Sequence, residues 1–371
     1  MAVVAKGLEG VIVDTSSISL IDGQAGRLYY RGYEIRDLAS NASFEEVAYL
    51  LWSGELPTAS QLSGLAGQMS KQRPIPESVT NLIRSLPASA DELDVLRTVI
   101  SAIGTGSLLT KPELSEAIAI TAKIPTITTT FDRIRKGQKP IEPHPDLGHA
   151  ANYLYMLTGK DPDPVKVEAL NKYLILLADH GMNASTFAAR VVASTRSDLY
   201  SALTAALGAL KGPLHGGAPG PVLQMLQDIG MPDRAEGWMR EQLKLGNRLM
   251  GFGHRVYKTT DPRASILKEI ASQIEDKGLF GLAQHVEETG VRLLKEHRPE
   301  EKLYPNVEFY SALLMHAVGL PTDLFTATFA ASRIVGWTAH VLEQAANNRL
   351  IRPAVQYTGP LEREVTPLEK R

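Results

Sequence analysis

The sequence predicts an all-α protein with two helical domains of unequal size, preceded by a short β-hairpin-like segment. Three observations carry this. Apolar residues recur at helical spacing almost everywhere after residue 30. Strand-like character is confined to residues 10–30. Small residues crowd the middle of the chain, from Asn183 to Leu210, as helices that approach closely at a buried centre require.

Taken in order, Val11, Val13 and Ile18 to Ile21 lead into Asp22-Gly23, a hairpin signal, and Leu28, Tyr29 and Tyr30 follow. Ser43 fits the N-cap of a helix carrying Phe44, Val47, Ala48, Leu50 and Leu51. Further helical segments are expected near 58–71, 90–105, 113–136, 146–158 and 164–180, with Pro125 kinking or dividing the third. Pro140, Pro143 and Pro145 mark a stiff surface connection. Gly212-Pro213 breaks the central small-residue region. Helices resume near 217–228, 233–246, 263–278 and 281–297 with more charge and weaker apolar faces. A last buried helix spans 322–346, and Pro353 ends the regular pattern. The expected division is a large domain of residues 1–211 and 320–371 with a smaller one, 212–319, inserted in it.

Composition narrows the function. The 371 residues are 44% hydrophobic and 22% charged, ordinary for a globular protein. A formal net charge of −2 supplies no field for nucleic acid or an anionic membrane, so any bound anion must be met by local Arg, Lys or His. With no cysteine there is no disulfide, thiolate metal site or cysteine nucleophile. No apolar run approaches the roughly 18 residues that a bilayer span needs. The start, MAVVAKGLEG, lacks the apolar stretch of a signal peptide, and a cytoplasmic location is expected. Gly251-Phe252-Gly253 is half a dinucleotide fingerprint, but Val256 stands where its third glycine would be. No phosphate loop or His-Glu-x-x-His is present, and the nine histidines form no close pair at helical ligand spacing, so no metal is expected.

Three histidines stand beside glycines or small residues: His180 before Gly181, His215 before Gly216-Gly217, and His254 after Gly253. A lone histidine of this kind is more often structural, by about two to one. Three together favour proton chemistry near neutral pH, because glycine lets a ligand or another backbone come close. Three arginines accompany them. Arg263 follows Asp261-Pro262, and Arg352 precedes Pro353. Arg333 lies among Phe329, Ala330, Ile334, Val335 and Trp337, where its charge needs a partner. Most isolated arginines form solvated ion pairs, but planar forks in apolar surroundings suit a dicarboxylate. Glu308 follows Asn306, a fitting N-cap. In the first helical turn the backbone N–H groups and the dipole favour its ionised form, a role that an ordinary N-terminal glutamate also fills.

The segments DHGMNASTF, LKGPLHGGA, MGFGHRVYKTTDPRA, YPNVEFYSALL and NNRLIRP, in this order, resemble those of citrate synthases. The similarity extends through KGLEGV, IDGQAGRLYYRGY and FEEVAYLLW, nearly the whole chain, which resembles the short bacterial and archaeal type. The resemblance implies a citrate synthase-like two-domain helical homodimer that condenses oxaloacetate with acetyl-CoA, a substrate, and needs no cofactor. By motif match, His180, Arg263 and Arg333 would hold oxaloacetate, and Arg352 would reach the partner subunit's site. His215 would hold the thioester carbonyl and His254 would polarise the ketone. Leu249, Gly251, Gly253 and Lys258 would line the CoA site. The family's carboxylate base is an aspartate, whereas this chain has Glu308, one methylene longer. The same motifs fit 2-methylcitrate synthase, which uses propionyl-CoA; a catalytically weak paralogue with a binding or assembly role is the other alternative.

Overall fold

The computed structural model describes residues 4–107, 111–215, 219–254, 256–257, 259–301 and 303–371. Its small sheet is antiparallel, with β1 (Ser19–Asp22) pairing β2 (Arg27–Tyr30) and β2 pairing β3 (Tyr33–Glu34). Ser19 lies opposite Tyr30, and Asp22 opposite Arg27. Asp22 Oδ1 closes the turn by accepting the N–H groups of Gln24 and Ala25 at 3.1 and 2.8 Å. Leu28 and Tyr30 point inward. Val11 and Val13, expected to join this β region, lie outside the strands and are exposed. Apolar side chains alone do not make a strand where no neighbouring strand pairs the backbone.

Sixteen α-helices follow among the described residues. The first ten are α1 (Ile35–Asn41), α2 (Phe44–Ser53), α3 (Ala59–Gln72), α4 (Glu77–Ser85), α5 (Glu92–Gly104), α6 (Leu114–Arg135), α7 (His149–Thr158), α8 (Pro164–Leu177), α9 (Ala184–Ser194) and α10 (Leu199–Leu210). Then come α11 (Pro219–Ile229), α12 (Pro232–Lys244), α13 (Pro262–Ile274), α14 (Lys277–His297), α15 (Val307–Val318) and α16 (Phe325–Ala346). Ser43 caps α2 as expected, in a full capping box with Glu46. No described helix is long and apolar enough to cross a membrane.

Four local expectations change. Helix α4, flanked by Pro74, Pro76 and Pro87, has no counterpart among the expected segments; it buries Val79, Thr80 and Ile83. Pro125 does not divide α6, which is buried along most of its length and packs against α3, α5, α7 and α16. That packing outweighs one missing hydrogen bond. The break between α13 and α14 falls at Glu275-Asp276, since Asp276 Oδ1 accepts the N–H groups of Gly278 and Leu279. Helix α8 stops at Leu177, so Ala178 to His180 form a turn rather than a last helical coil.

Helix α16 is the hub. It is buried almost throughout and packs against α2, α5, α6, α8, α9, α10 and α11. Its small residues let neighbours approach: Gly336 N–H donates to Ala178 O at 3.1 Å, and a Cβ at 336 would lie 2.4 Å from that oxygen. Helices α13 and α15 pack together and onto α8, while α12 packs on α14. Gly336→Ala is therefore expected to cost about 1–3 kcal/mol by overpacking. Gly64→Ala, on an exposed face of α3 with nothing within 4 Å, should gain about 0.5–1 kcal/mol. Denaturant unfolding of both variants distinguishes the two signs.

Candidate functional site

Two loops that are distant in sequence are stitched together at the site. Gly253 N–H donates to Tyr304 O at 2.8 Å, Asn306 N–H to Gly251 O at 2.8 Å, and Asn306 Nδ2 to Gly253 O at 3.1 Å. Gly251 and Gly253 have φ of +79° and +86°, a region that favours glycine. A Cβ on Gly251 would also meet Phe309 at 2.9 Å. This stitch holds His254 beside the start of α15, where Asn306 Oδ1 caps the Glu308 N–H at 3.1 Å. His254 Nδ1 accepts two backbone N–H bonds, from Val256 and Tyr257, each 3.0 Å. The proton of its neutral ring is therefore on Nε2.

His180 stands on the turn after α8, 8% exposed, with its ring 5.4 Å from that of His254. Its Nε2 lies 3.1 Å from the Tyr257 hydroxyl. Burial first, then the charges of Arg263 and Arg333, push its pKa well below 6.5, so the ring is neutral. The turn is held by the β-sheet: Tyr30 OH donates to Asp179 O at 2.8 Å and accepts the Asp179 N–H at 3.1 Å. The hairpin turn meets the other loop too. A Cβ on Gly23 would lie 2.4 Å from Val256 O, and one on Gly26 2.5 Å from Thr259 Oγ1.

The arginines differ in how they are satisfied. Arg263, at the start of α13 and 2% exposed, is forked onto Asp261: Nε to Oδ1 at 3.1 Å and NH2 to Oδ2 at 2.8 Å. Asp261 also caps the helix, accepting the Arg263 N–H at 2.9 Å. Arg333, equally buried on α16, donates Nε to Leu177 O at 2.7 Å and stacks over Phe329 at 4.8 Å. Among the described residues, no carboxylate lies within ion-pair distance of it. Burial lowers its pKa to about 10, while Asp179 is the main charge opposing that fall. Glu308 is partly buried, and desolvation raises its carboxyl pKa above 4.5 although Arg263, Arg333 and its own capped backbone pull downward. The expectation that the helix start alone keeps it ionised thus meets a larger opposing effect.

His215 is placed on the same side as Arg333, through α9. Its Nε2 lies 2.7 Å from Ser185 Oγ and 3.3 Å from the Ser185 amide N–H. The amide cannot reverse its role, so Nε2 is an acceptor and the neutral ring carries its proton on Nδ1. Trp337 Nε1 donates to the same Ser185 hydroxyl at 3.0 Å, tying the group to α16. Burial, with a smaller contribution from Arg333, lowers the His215 pKa to about 4. Gly216 and Gly217, expected to open the next helix, lie outside the described residues; α11 is described from Pro219. Leu249 is buried beside the 251–253 loop. Lys258 lies outside the described residues. Arg352 is exposed on the segment after α16 and is not brought to this cluster.

Residues 7–354 match the family described as "Citrate synthase, C-terminal domain". The chain belongs to the citrate synthase family. It is similar to "Citrate synthase 2" of Bacillus subtilis, 46% identical over 372 residues and 99% of each chain. It is also similar to the 2-methylcitrate synthase of Mycobacterium tuberculosis, 42% identical over 97% of this chain and 92% of that one. The citrate synthase of Thermoplasma acidophilum, solved as a ternary complex with carboxymethyl coenzyme A and oxaloacetate, superposes with a TM-score of 0.94 at 36% identity over the whole of both chains. Members of this family are enzymes that transfer an acyl group, and this chain is one of them.

In this citrate synthase family member, several residues around the cluster escaped the sequence reading. Tyr257, 2% exposed, is in the quoted motif but was given no task. Asp261 was legible as an N-cap before proline, though nothing marked its fork onto Arg263. Ser185 and Trp337 look like ordinary helix residues, and only the fold brings them to His215.

His215 is expected to titrate near pH 4 when followed by its ring resonances, staying neutral between about pH 6 and 8. Because its folded pKa lies below the unfolded 6.5, its contribution to stability is complete above about pH 6.5 and is lost as pH falls toward 4. A resonance titrating near 6.5 would remove this assignment.

Proposed function

We propose that the protein is a citrate synthase, condensing oxaloacetate with acetyl-CoA and hydrolysing citryl-CoA to citrate and CoA. The observation that most supports this is Arg333, a buried cation with no carboxylate at ion-pair range among the described residues, beside Arg263 and the neutral His180. A small dicarboxylate satisfies that charge, with Arg263 adding the N–H groups that Asp261 leaves unused.

The chemistry then follows from proton positions. A thioester methyl group is a very weak acid, so its proton leaves only if the developing enolate is stabilised at the carbonyl. His215, neutral with Nδ1–H, is the donor for that oxygen. Glu308 is the base, and its raised pKa makes it a stronger one than an exposed glutamate. His254, with Nε2–H, polarises the oxaloacetate ketone as the enol attacks. Arg263 comes from the 212–319 segment and Arg333 from the 320–371 segment, so closure of a smaller domain on a larger one would assemble the site and exclude water. The loop at Leu249, Gly251 and Gly253, with Lys258, is proposed to receive CoA.

The second reading is 2-methylcitrate synthase, favoured by the 42% identical mycobacterial relative. One methylene changes binding by only about 1–3 kcal/mol, so pocket shape decides. Release of free CoA in the presence of oxaloacetate, compared between acetyl-CoA and propionyl-CoA, tests both. No release from either thioester would favour a binding or assembly role.

Glu308→Gln is expected to lower the condensation rate by about 100-fold or more and to abolish exchange of the acetyl-CoA methyl protons. Glu308→Asp should raise turnover by up to about 100-fold if the longer arm misplaces the base, with little change in oxaloacetate affinity. A slower Asp variant would mean that the backbone already fits Glu. For the native enzyme, the acid limb of the rate profile should lie above the ordinary glutamate value of 4.5, activity falling as pH drops through it.

We also propose a homodimer in the cytoplasm, with Arg352 completing the oxaloacetate site of the partner subunit. Mixing Arg352→Ala subunits with His254→Ala subunits should restore part of the activity, since one site in each hybrid keeps both residues. A verified heterodimer without activity would remove this role.

A further inference from the structure

Behind the His180 turn lies a buried series of polar groups that the roles above leave unused. Arg190, on α9 and 2% exposed, spends its whole guanidinium on it. Nε donates to Gln344 Oε1 at 3.0 Å, NH1 to Glu343 Oε2 at 2.7 Å and to His340 Nδ1 at 3.2 Å, and NH2 to Asp14 Oδ2 at 2.7 Å. An arginine can only donate, so His340 Nδ1 accepts, and the proton of the neutral ring is on Nε2. That nitrogen faces Asp179 Oδ1 at 3.3 Å, close enough for an ion pair but outside hydrogen-bond geometry, and neither atom has a hydrogen-bond partner among the described residues, so each is the nearest complement the other has. Asp179 Oδ2 accepts the Ser19 hydroxyl at 2.5 Å and the Gly181 N–H at 2.9 Å. The series therefore runs in one direction, from Arg190 through His340 to a fully buried carboxylate next to His180.

We propose that His340, oriented by Arg190, is a positioning residue for the oxaloacetate site, aiming the Asp179 carboxylate so that it fixes the His180 turn and supplies counter-charge to Arg333. This rests on reading His180 and Arg333 as oxaloacetate ligands. Gly181 has φ +58°, a conformation that the Asp179 Oδ2 bond to its N–H helps to hold. The carboxylate has little freedom to turn away, because Gly336 packs so closely that even a Cβ there would lie 2.5 Å from Oδ1. Without His340, Oδ1 would face no polar hydrogen at all, and a buried carboxylate so weakened would take up a proton or pull the turn out of place. Burial raises the Asp179 pKa, yet the Arg333 charge and the Ser19 hydroxyl, among the groups facing it, help to hold it below the usual value, so it stays charged.

Two substitutions separate positioning from plain packing. The amide nitrogen of Gln falls near the place of imidazole Nε2, whereas that of Asn falls near Nδ1. His340→Gln keeps a donor toward Asp179; His340→Asn loses it. Oxaloacetate binding is measured by calorimetry on the purified full chain, beside the oxaloacetate and acetyl-CoA KM and kcat. His340→Asn should weaken oxaloacetate binding about ten- to hundredfold and raise its KM in step, with kcat and the acetyl-CoA KM little changed. His340→Gln should stay within about threefold of the native affinity. If His340→Asn does not fold, Arg190→Lys serves, expected to weaken oxaloacetate binding several-fold by freeing the His340 tautomer. Equal losses in the Asn and Gln variants, or unchanged binding in Asn or Lys, would overturn the inference while leaving the functional reading intact. No oxaloacetate binding by the native chain would overturn both.

Discussion

A guanidinium cut off from water cannot stay charged without partners, and much of this structure is arranged around three of them. Arg190, Arg263 and Arg333 are each about 2% exposed, yet each is satisfied differently. Arg190 is saturated by acceptors from the N-terminal segment and α16, and Arg263 is forked onto the aspartate that caps its own helix. Arg333 has a carbonyl and an aromatic ring but no carboxylate at ion-pair range among the described residues. Of the three, Arg333 alone is left without a carboxylate among the described residues, and the proposed dicarboxylate would supply one. Removing a partner from either of the first two would strand a buried charge, at a cost of roughly 3–5 kcal/mol.

The small sheet gains its importance from the same region. Three short strands contribute little to the core by area, but Tyr30 binds both the N–H and the C=O of Asp179. Its turn glycines sit against Val256 and Thr259. The hairpin is thus wedged between the His180 turn and the segment after His254. The 251–253 loop is in turn tied to 304–306, which opens α15. Candidate site groups from four parts of the chain are aligned largely through bonds to the backbone, which side-chain substitution disturbs least.

Most helices were legible because a buried amphipathic or wholly apolar run has a period that little else produces. Helix α4 was hidden by flanking prolines, and α6 ran through Pro125 because packing on four sides outweighs one local defect. The histidines, Arg263, Arg333 and Glu308 were legible as motifs. What the sequence could not carry was relation: that Asp261 and Arg263 form a fork, that Ser185 and Trp337 meet at His215, or that Arg190 and His340 converge on Asp179. The Ser185–Trp337 and Arg190–His340 pairs are separated by about 150 residues and have no local signal. Nor could the motif reveal that burial acts on Glu308 more strongly than the helix start that caps it.

The Arg190 junction has a further consequence for how the molecule comes apart. Chain ends are where local unfolding normally begins. Here Asp14 is joined directly to Arg190, and Gln344, which accepts from Arg190, donates onward to Asn348 Oδ1 and Arg349 O. Asn348 and Ile351 are also tied to Ser194 at the far end of α9. Fraying from either terminus therefore runs into the same helix before it reaches the core. A single interior rod acts as the lock on both ends, and proteases working inward from the tails should stall at this common point.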